Sequence, residues 1–217
     1  IDEALARDRV LLIVSQRDKE VETPRPSDLF EVGTACNILK MRKNPDGSVQ
    51  VLVQAFARVR VREWLDLGDH LEARGEVLAD EPGEPILVQA LVREVKDKFQ
   101  ALLKEGKYLA PEVAQFILNL EDPSQLADYV AFHMDFRLED KQKVLETANV
   151  AERLRAVLVL LEAELALIET QRRIQQQVKE EIDRNQREYF LREQMKAVQR
   201  ELHGEEGEQE VEEFRRK

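Results

Sequence analysis

The chain has 217 residues, of which 43% are hydrophobic and 35% charged, with a formal net charge of -11. This length can bury the core of one or two domains, and the acidic balance argues against broad nucleic-acid binding, which needs clustered Lys and Arg. A single cysteine excludes an internal disulfide and favours a reducing compartment; with no apolar run of the ~18 residues that span a membrane, we expect a cytoplasmic protein.

Residues 1–82 contain short apolar segments separated by turn residues, a pattern that predicts a β-rich lobe. Asp46-Gly47 supplies the positive φ angles of a tight hairpin turn. After it, apolar residues alternate from Val49 to Val61 and so share one face of a strand. The predicted strands are VLLIV (10–14), VGTACNILKMRK (32–43), SVQVLVQAFARVRVREW (48–64) and LEARGEVLAD (71–80).

Two features of this lobe have both a structural and a functional interpretation. Arg58, Arg60 and Arg62 alternate along a predicted strand, which favours a solvated face over a basic binding patch. Cys36 lies on another strand beside Ala35 and Ile38, which favours a small buried hydrophobe over a reactive thiol.

After Pro85 the apolar period becomes helical and predicts a helical bundle over residues 86–170. The first helix, over 86–106, has one apolar stripe: Leu87, Leu91, Val95, Phe99 and Leu102. Pro111 and Asp122-Pro123 begin two shorter helices, and LEDKQKVLE (138–146) predicts a third. The sequence alone therefore predicts an α+β protein.

A very long helix is predicted over residues 150–203, where no Pro or Gly occurs. Asn149 is a favoured N-cap, and Glu152 completes a capping box. At 1.5 Å per residue such a helix is roughly 80 Å long, so we expect it to project from the bundle. Residues 204–217, which begin with Gly204, are predicted to be a charged linker.

No catalytic, cofactor-binding or metal site is predicted. The chain has neither a G-x-x-x-x-G-K-[ST] nucleotide motif nor a G-x-S-x-G nucleophile motif. Its three histidines are far apart, and none has the H-E-x-x-H spacing of zinc enzymes. These residues indicate a binding and assembly segment.

Several stretches, in order along nearly the whole chain, resemble the N-terminal region of Lon, the ATP-dependent AAA+ protease of bacteria. They are DLFEVGTACNILKM (28–41), PDGSVQVLVQAFARVRV (45–61), KYLAPEVAQFILNLEDPSQLADYVAFHM (107–134), LEDKQKVLETANVAERL (138–154) and RNQREYFLREQMKAVQRELHGEE (184–206). Because independent segments agree, the resemblance is specific.

The resemblance implies a PUA-like β-rich lobe, a helical bundle and a very long helix leading to an AAA+ module. It implies ATP, magnesium, a Ser-Lys peptidase dyad and a hexamer for the intact protein, with the motifs beyond residue 217. Similar chains begin with additional strands before the segment that matches Ile1, so we expect a lobe without its first strands.

The function that the resemblance implies is recognition of misfolded, damaged or short-lived regulatory proteins for degradation. Such a receptor needs exposed apolar side chains or an open strand edge. Each candidate residue is either a contact for the client polypeptide or part of the core. The candidates are Pro24, Pro26, Leu29, Phe30, Met41, Phe56, Trp64 and Leu65.

The alternative function is purely structural: the long helix pairs with a second copy as a coiled-coil spacer and sets the assembly. Apolar residues are less frequent along this helix beyond residue 170 than in the bundle. A solvated single helix held by ion pairs therefore stays a third possibility. The predicted pairing residues are Ile174, Val178, Ile182, Tyr189, Phe190, Leu191, Met195 and Val198.

Overall fold

A computed structural model of the chain describes residues 1–66, 68, 70–106 and 109–216. The described residues divide into two compact units, which meet between Leu165 and Ala166. The first unit contains a four-stranded antiparallel sheet followed by helices, and the second is helical. The predicted α+β class is confirmed.

The sheet has the simple order β1-β2-β3-β4, with every neighbouring pair antiparallel. A short helix that the sequence pattern did not predict, α1 (Asp2–Ala6), precedes it. The strands are β1 (Val10–Ile13), β2 (Val32–Lys43), β3 (Val49–Asp66) and β4 (Leu71–Val77). All four predicted strands are present, although β4 ends three residues earlier than expected.

Bulges in β2 and β3 interrupt the regular alternation of faces that the sequence predicts. The pairing shifts by one residue at Leu39, at Phe56 and at Arg62. A bulge bends a strand and re-aims the side chains beside it. The sheet therefore buries Ala35, Cys36 and Ile38, while Leu39 and Phe56 stay exposed.

The turn between β2 and β3 confirms the predicted positive φ at Gly47 but not at Asp46, because Arg9 is the one described non-glycine residue with a positive φ. The turn is also longer than a two-residue hairpin, since residues 44–48 separate the strands and the Gly47 N–H donates to the Asn44 carbonyl at 3.1 Å. Gly47 has a φ of 84°, a conformation that a residue with a Cβ rarely adopts. The Asp46 carboxylate accepts hydrogen bonds from the backbone N–H and hydroxyl of Ser48, at 2.9 and 2.7 Å. These hydrogen bonds lower the pKa of Asp46.

Five further helices follow, close to their predicted positions. They are α2 (Pro85–Lys104), α3 (Pro111–Leu118), α4 (Pro123–His133), α5 (Leu138–Glu146) and α6 (Val150–Arg216). The predicted stripe of α2 is buried at Leu91, Val95, Phe99 and Leu102. Together with Leu126, Val130, Leu154, Val157 and Leu161, these side chains form the helical core.

The start of α6 has the predicted N-cap at Asn149, but among the described residues the Glu152 side chain accepts no hydrogen bond from the Asn149 N–H, so the predicted capping box is not complete. The Asn149 side-chain oxygen accepts hydrogen bonds from the backbone N–H groups of Ala151 and Glu152, both at 3.1 Å. This contact satisfies two of the donors that every helix N-terminus leaves without an intrahelical partner.

The end of α6 differs from the prediction. The helix continues through Gly204 to Arg216, so the segment predicted as a linker is helical up to that residue. A glycine in a helix interior costs about 1 kcal/mol, whereas each added residue also gains a backbone hydrogen bond. The surrounding glutamates are good helix formers, so a lone glycine does not stop the helix. Lys217 lies outside the described residues.

The described helices include none that is both long and apolar enough to cross a membrane. Even α6, which is 67 residues long, carries charged residues throughout its length.

Candidate functional site

An open cleft of about 520 Å³ lies where β2, β3 and α5 meet in the first unit. We call it the β2–α5 cleft. Its lining residues come from the segment before β2, from β2 and β3 themselves, and from α5. They are Arg17, Phe30, Glu31, Val32, Arg60, Arg62, Glu139, Gln142, Lys143 and Glu146.

Phe30 is held in place by the loop that precedes β2. A 3-10 helix (Pro26–Asp28) turns the chain, and its Asp28 carboxylate accepts a hydrogen bond from the backbone N–H of Arg25 at 2.8 Å. The backbone N–H of Phe30 then donates to the Ser15 carbonyl at 3.0 Å. The prolines of this loop therefore shape one wall of the cleft without being part of it.

Arg17 covers the ring of Phe30. Its guanidinium carbon lies 4.6 Å from the ring centroid, and its Nε donates to the Leu29 carbonyl at 3.0 Å. A cation over an aromatic face is attracted by the ring quadrupole. The pair presents an aromatic surface beside a positive charge.

Gln142 fixes α5 against the sheet at the cleft. Its side chain is only 4% exposed, and its Nε2 donates to the Val32 carbonyl at 2.9 Å and to Glu146 Oε1 at 2.8 Å. A buried amide must be hydrogen-bonded to avoid a desolvation penalty. This contact therefore sets the spacing between β2 and α5.

The three alternating arginines of β3 have different surroundings, and the prediction of a common solvated face is wrong. The Arg58 side chain is 10% exposed and forms ion pairs with Asp80 and Asp128. Arg62 is exposed and pairs with Glu76. Arg60, between them, is half-buried in the cleft and forms no ion pair or side-chain hydrogen bond with the residues that the structure describes.

Outside the cleft lining, Arg153 connects the start of α6 to the segment after β4 and to the start of α4. Its side chain is 0% exposed, and its guanidinium donates to Asp80 Oδ1 at 2.6 Å and to Ser124 Oγ at 2.8 Å. Burial alone raises the pKa of Asp80. Hydrogen bonds from Arg153 and Ser124, together with the charges of Arg153 and Arg58, outweigh it and hold that pKa below its usual value. We call Arg58, Asp80, Ser124, Asp128 and Arg153 the buried ion network.

A family profile described as the substrate-binding domain of the ATP-dependent protease La (LON) matches residues 1–163. The chain belongs to the Lon protease family. Lon protease 2 of Thermus thermophilus is 99% identical over 217 residues, which are 100% of this chain and 27% of that protein. Lon protease of Escherichia coli is 39% identical over 202 residues, which are 93% of this chain and 26% of that one.

The fold is also that of a solved Lon domain. The N-terminal domain of the Mycobacterium avium complex Lon protease superposes with a TM-score of 0.61 at 24% identity, over 75% of this chain and 82% of that one. The chain spans about a quarter of the length of the Lon proteases that it matches.

The structure places one of the predicted client-binding residues of this Lon domain, Phe30, in the β2–α5 cleft. Phe56 lies outside it and is 56% exposed, in the bulge of β3. The other six are half-buried outside the cleft: Pro24, Pro26, Leu29, Met41, Trp64 and Leu65. Their role as client contacts stays a prediction.

Sequence reasoning missed Arg60, Gln142 and Lys143 as cleft residues. Arg60 and Gln142 are more than 80 positions apart, so no local pattern brings them together. One signal was available: Gln142 lies in the predicted helix 138–146 at a position that faces the sheet, where a polar residue needs a specific partner.

The predicted pairing residues of α6 are all at least half exposed. Their exposed fractions run from 50% at Val178 to 68% at Tyr189. In fact every side chain from Glu169 to Gln199 is exposed. All eight side chains are accessible to a second helix. Whether α6 pairs through them stays a prediction.

A further cluster, Glu3, His70 and Glu72, was not foreseen because Glu3 and His70 are far apart in sequence. Their side-chain oxygen and nitrogen atoms lie within 4.8 Å of one another. Arg7 pairs with both glutamates, at 2.5 Å to Glu3 and 2.9 Å to Glu72. The Arg7 guanidinium therefore balances one of the two carboxylate charges, and His70 Nε2 lies 2.9 Å from Glu3 Oε2 and 3.5 Å from Glu72 Oε1.

Proposed function

We propose that this domain binds unfolded or damaged polypeptides, and short-lived regulatory proteins, and presents them to an ATP-dependent Lon protease. The observation that carries the proposal is the β2–α5 cleft, which combines an aromatic wall with charged groups on a framework fixed by Gln142. The matched family profile is that of a substrate-binding domain, which supports the same assignment.

The cleft suits a client that has lost its own fold. An unfolded chain offers apolar side chains together with unsatisfied backbone groups and charges. Phe30 and Val32 provide apolar contact, while both positive and negative side chains line the rest of the cleft. Outside it, the β2–β3 hairpin adds Leu39, Leu52 and Phe56, each more than half exposed.

The proposal extends to the intact protein. We infer a cytoplasmic, hexameric protease that uses ATP and magnesium and cleaves its substrates with a Ser-Lys dyad, while this domain selects them. We assign delivery of the client to this domain and its degradation to other parts of that protein.

The experiment is a titration of a permanently unfolded, fluorescently labelled client against three forms of the domain. They are the unmodified chain, Phe30→Ala and Phe132→Ala, the last being a control because Phe132 is 74% exposed and is not a cleft residue. We expect Phe30→Ala to weaken binding roughly tenfold, since an aromatic contact contributes ~1.5 kcal/mol or more.

Equal binding by Phe30→Ala and the unmodified chain would remove the cleft from client recognition. The Phe132→Ala control is expected to stay within about twofold of the unmodified chain, because surface substitutions remote from a site have small effects. Far-UV circular dichroism checks that each variant keeps its helical content.

A second candidate function is assembly through α6, and its exposed stripe of apolar side chains favours it. A helix that exposes Ile174, Val178 and Ile182 at spacing four, followed by Leu191, Met195 and Val198, has a face suited to a second helix. The two functions are compatible, because they use different parts of the chain.

A further inference from the structure

Arg60 is the half-buried cation of the cleft that has no ion pair with the described residues. On the same strand, Arg58 is paired with Asp80 and Asp128, and Arg62 is paired with Glu76. Arg60 is half-buried, yet no carboxylate among the described residues lies within ion-pair distance of it. A partly desolvated guanidinium without a partner is costly, so it is expected to attract an anionic group into the cleft.

The position of Arg60 is well defined by the sheet. Arg60 is paired with Val32 of β2 on one side and with Glu76 of β4 on the other. The backbone of β4 can lie close to Arg60 because residue 75 is a glycine. A Cβ at Gly75 would lie 2.6 Å from the Arg60 carbonyl oxygen. The guanidinium therefore extends from a rigid floor next to the apolar wall of Phe30 and Val32.

Resting on the proposed function, we propose that the β2–α5 cleft binds a carboxylate of the client polypeptide, with Arg60 as its receptor. The carboxylate belongs either to the C-terminus of the client or to an Asp or Glu side chain. An apolar residue beside that carboxylate contacts Phe30 and Val32. The guanidinium fork can donate two parallel hydrogen bonds to the two oxygens.

The charges of the cleft favour a single carboxylate over a polyanion. Four cationic side chains line it, Arg17, Arg60, Arg62 and Lys143, together with three carboxylates, Glu31, Glu139 and Glu146. Its formal charge is therefore a single positive unit, which one carboxylate balances. A polyanion brings more negative charge than the cleft can compensate, next to three glutamates and on a chain whose formal net charge is -11.

The test measures binding of three short labelled peptides of Gly, Ser and Ala that carry one Leu-Phe pair. The first ends in Leu-Phe with a free C-terminal carboxylate, and the second has the same sequence with a C-terminal amide. The third is amidated and carries a Glu beside the Leu-Phe pair. Each is titrated by fluorescence anisotropy against the full chain as the unmodified protein, Arg60→Gln, Arg60→Lys and Arg74→Gln.

We expect at least one carboxylate peptide to bind about tenfold or more tightly than the amide, as charge-assisted hydrogen bonds imply. The free-acid and Glu peptides distinguish a C-terminal carboxylate from a side-chain one. Arg60→Gln is expected to abolish the preference, and Arg60→Lys to retain part of it. Arg74→Gln, an exposed arginine of β4 that is not a cleft residue, is expected to keep it in full.

Equal binding of all three peptides by the unmodified protein would overturn the proposal, whether or not any variant folds. So would a preference that Arg60→Gln leaves unchanged, or salt-dependent binding of a single-stranded oligonucleotide at Arg60 in place of the peptides. If the unfolded client binds in a Phe30-dependent manner while the peptides show no preference, only the carboxylate assignment fails. If no client binds, the proposed function fails first.

Discussion

Single side chains of the buried ion network connect parts of the first unit that are distant in sequence. Arg153 at the start of α6 reaches Asp80, which follows β4, and Ser124 at the start of α4. Arg58 brings β3 to Asp80 and Asp128. Removing one partner of such a network leaves the other charge buried without compensation. The resulting loss of folding free energy is larger than the net stabilisation that the ion pair provides.

We predict that Asp80→Asn lowers the free energy of unfolding by about 2 to 3 kcal/mol at neutral pH. This is less than the ~3–5 kcal/mol of a fully buried pair, because the Asp80 side chain is 37% exposed. The matched control is Asp135→Asn, an exposed aspartate, for which we expect a change below about 0.5 kcal/mol. Urea unfolding of both variants measures the difference.

The effect of Asp80→Asn must also depend on pH with a defined sign. The pKa of Asp80 is lowered in the folded protein, so its stabilising contribution is present above its ordinary pKa of ~3.9. That contribution is lost as pH falls through the lower pKa of the folded state. The gap in stability between Asp80→Asn and the unmodified chain should therefore shrink below about pH 4. A gap that stays constant down to about pH 2 would contradict the assigned role of the Asp80 charge.

Among the elements, α6 is the one whose two parts have the most different surroundings. Its first turns bury Leu154, Val157 and Leu161 in the helical core. From Glu169 to Gln199 every side chain is exposed, including the large apolar ones. An isolated helix held only by local ion pairs has no need of such residues, so their exposure favours a partner helix.

We predict that the unmodified chain associates in solution and that Leu191→Asp with Met195→Asp makes it a monomer. Charges placed on the apolar stripe would be desolvated by pairing. The control is Leu191→Met with Met195→Leu, which keeps both positions apolar and of similar volume and should leave the association intact. Sedimentation velocity over a range of concentrations reports the mass of each form. A monomer in all three cases would count against helix pairing.

The elements themselves were largely predictable, because each depends on local chemistry. The apolar stripe of α2, the bounds of α5 and the Asn149 cap follow from spacing and capping rules within a few residues. The cleft was not predictable. It depends on Phe30, Arg60 and Gln142, which the fold brings together from the loop before β2, from β3 and from α5. Arg58 was misassigned to a solvated face because its partners Asp80 and Asp128 lie far along the chain.

At the scale of the whole molecule, the chain combines a sheet-and-helix unit that carries the cleft with a helical unit that carries an apolar stripe. The first unit holds the β2–α5 cleft, which is lined by both aromatic and charged side chains and which we assign to clients. We therefore attribute selection of the client to the first unit and assembly to the second.

Hydrogen exchange of the domain with and without an unfolded client tests this division most directly. We predict slower exchange of backbone amides around Phe30 to Val32, around Arg60 in β3, and in α5 when the client is present. These amides should be protected in the unmodified chain and much less so in Phe30→Ala. Protection confined to α6 beyond Ala166, or no protection anywhere, would contradict the assignment of client binding to the β2–α5 cleft.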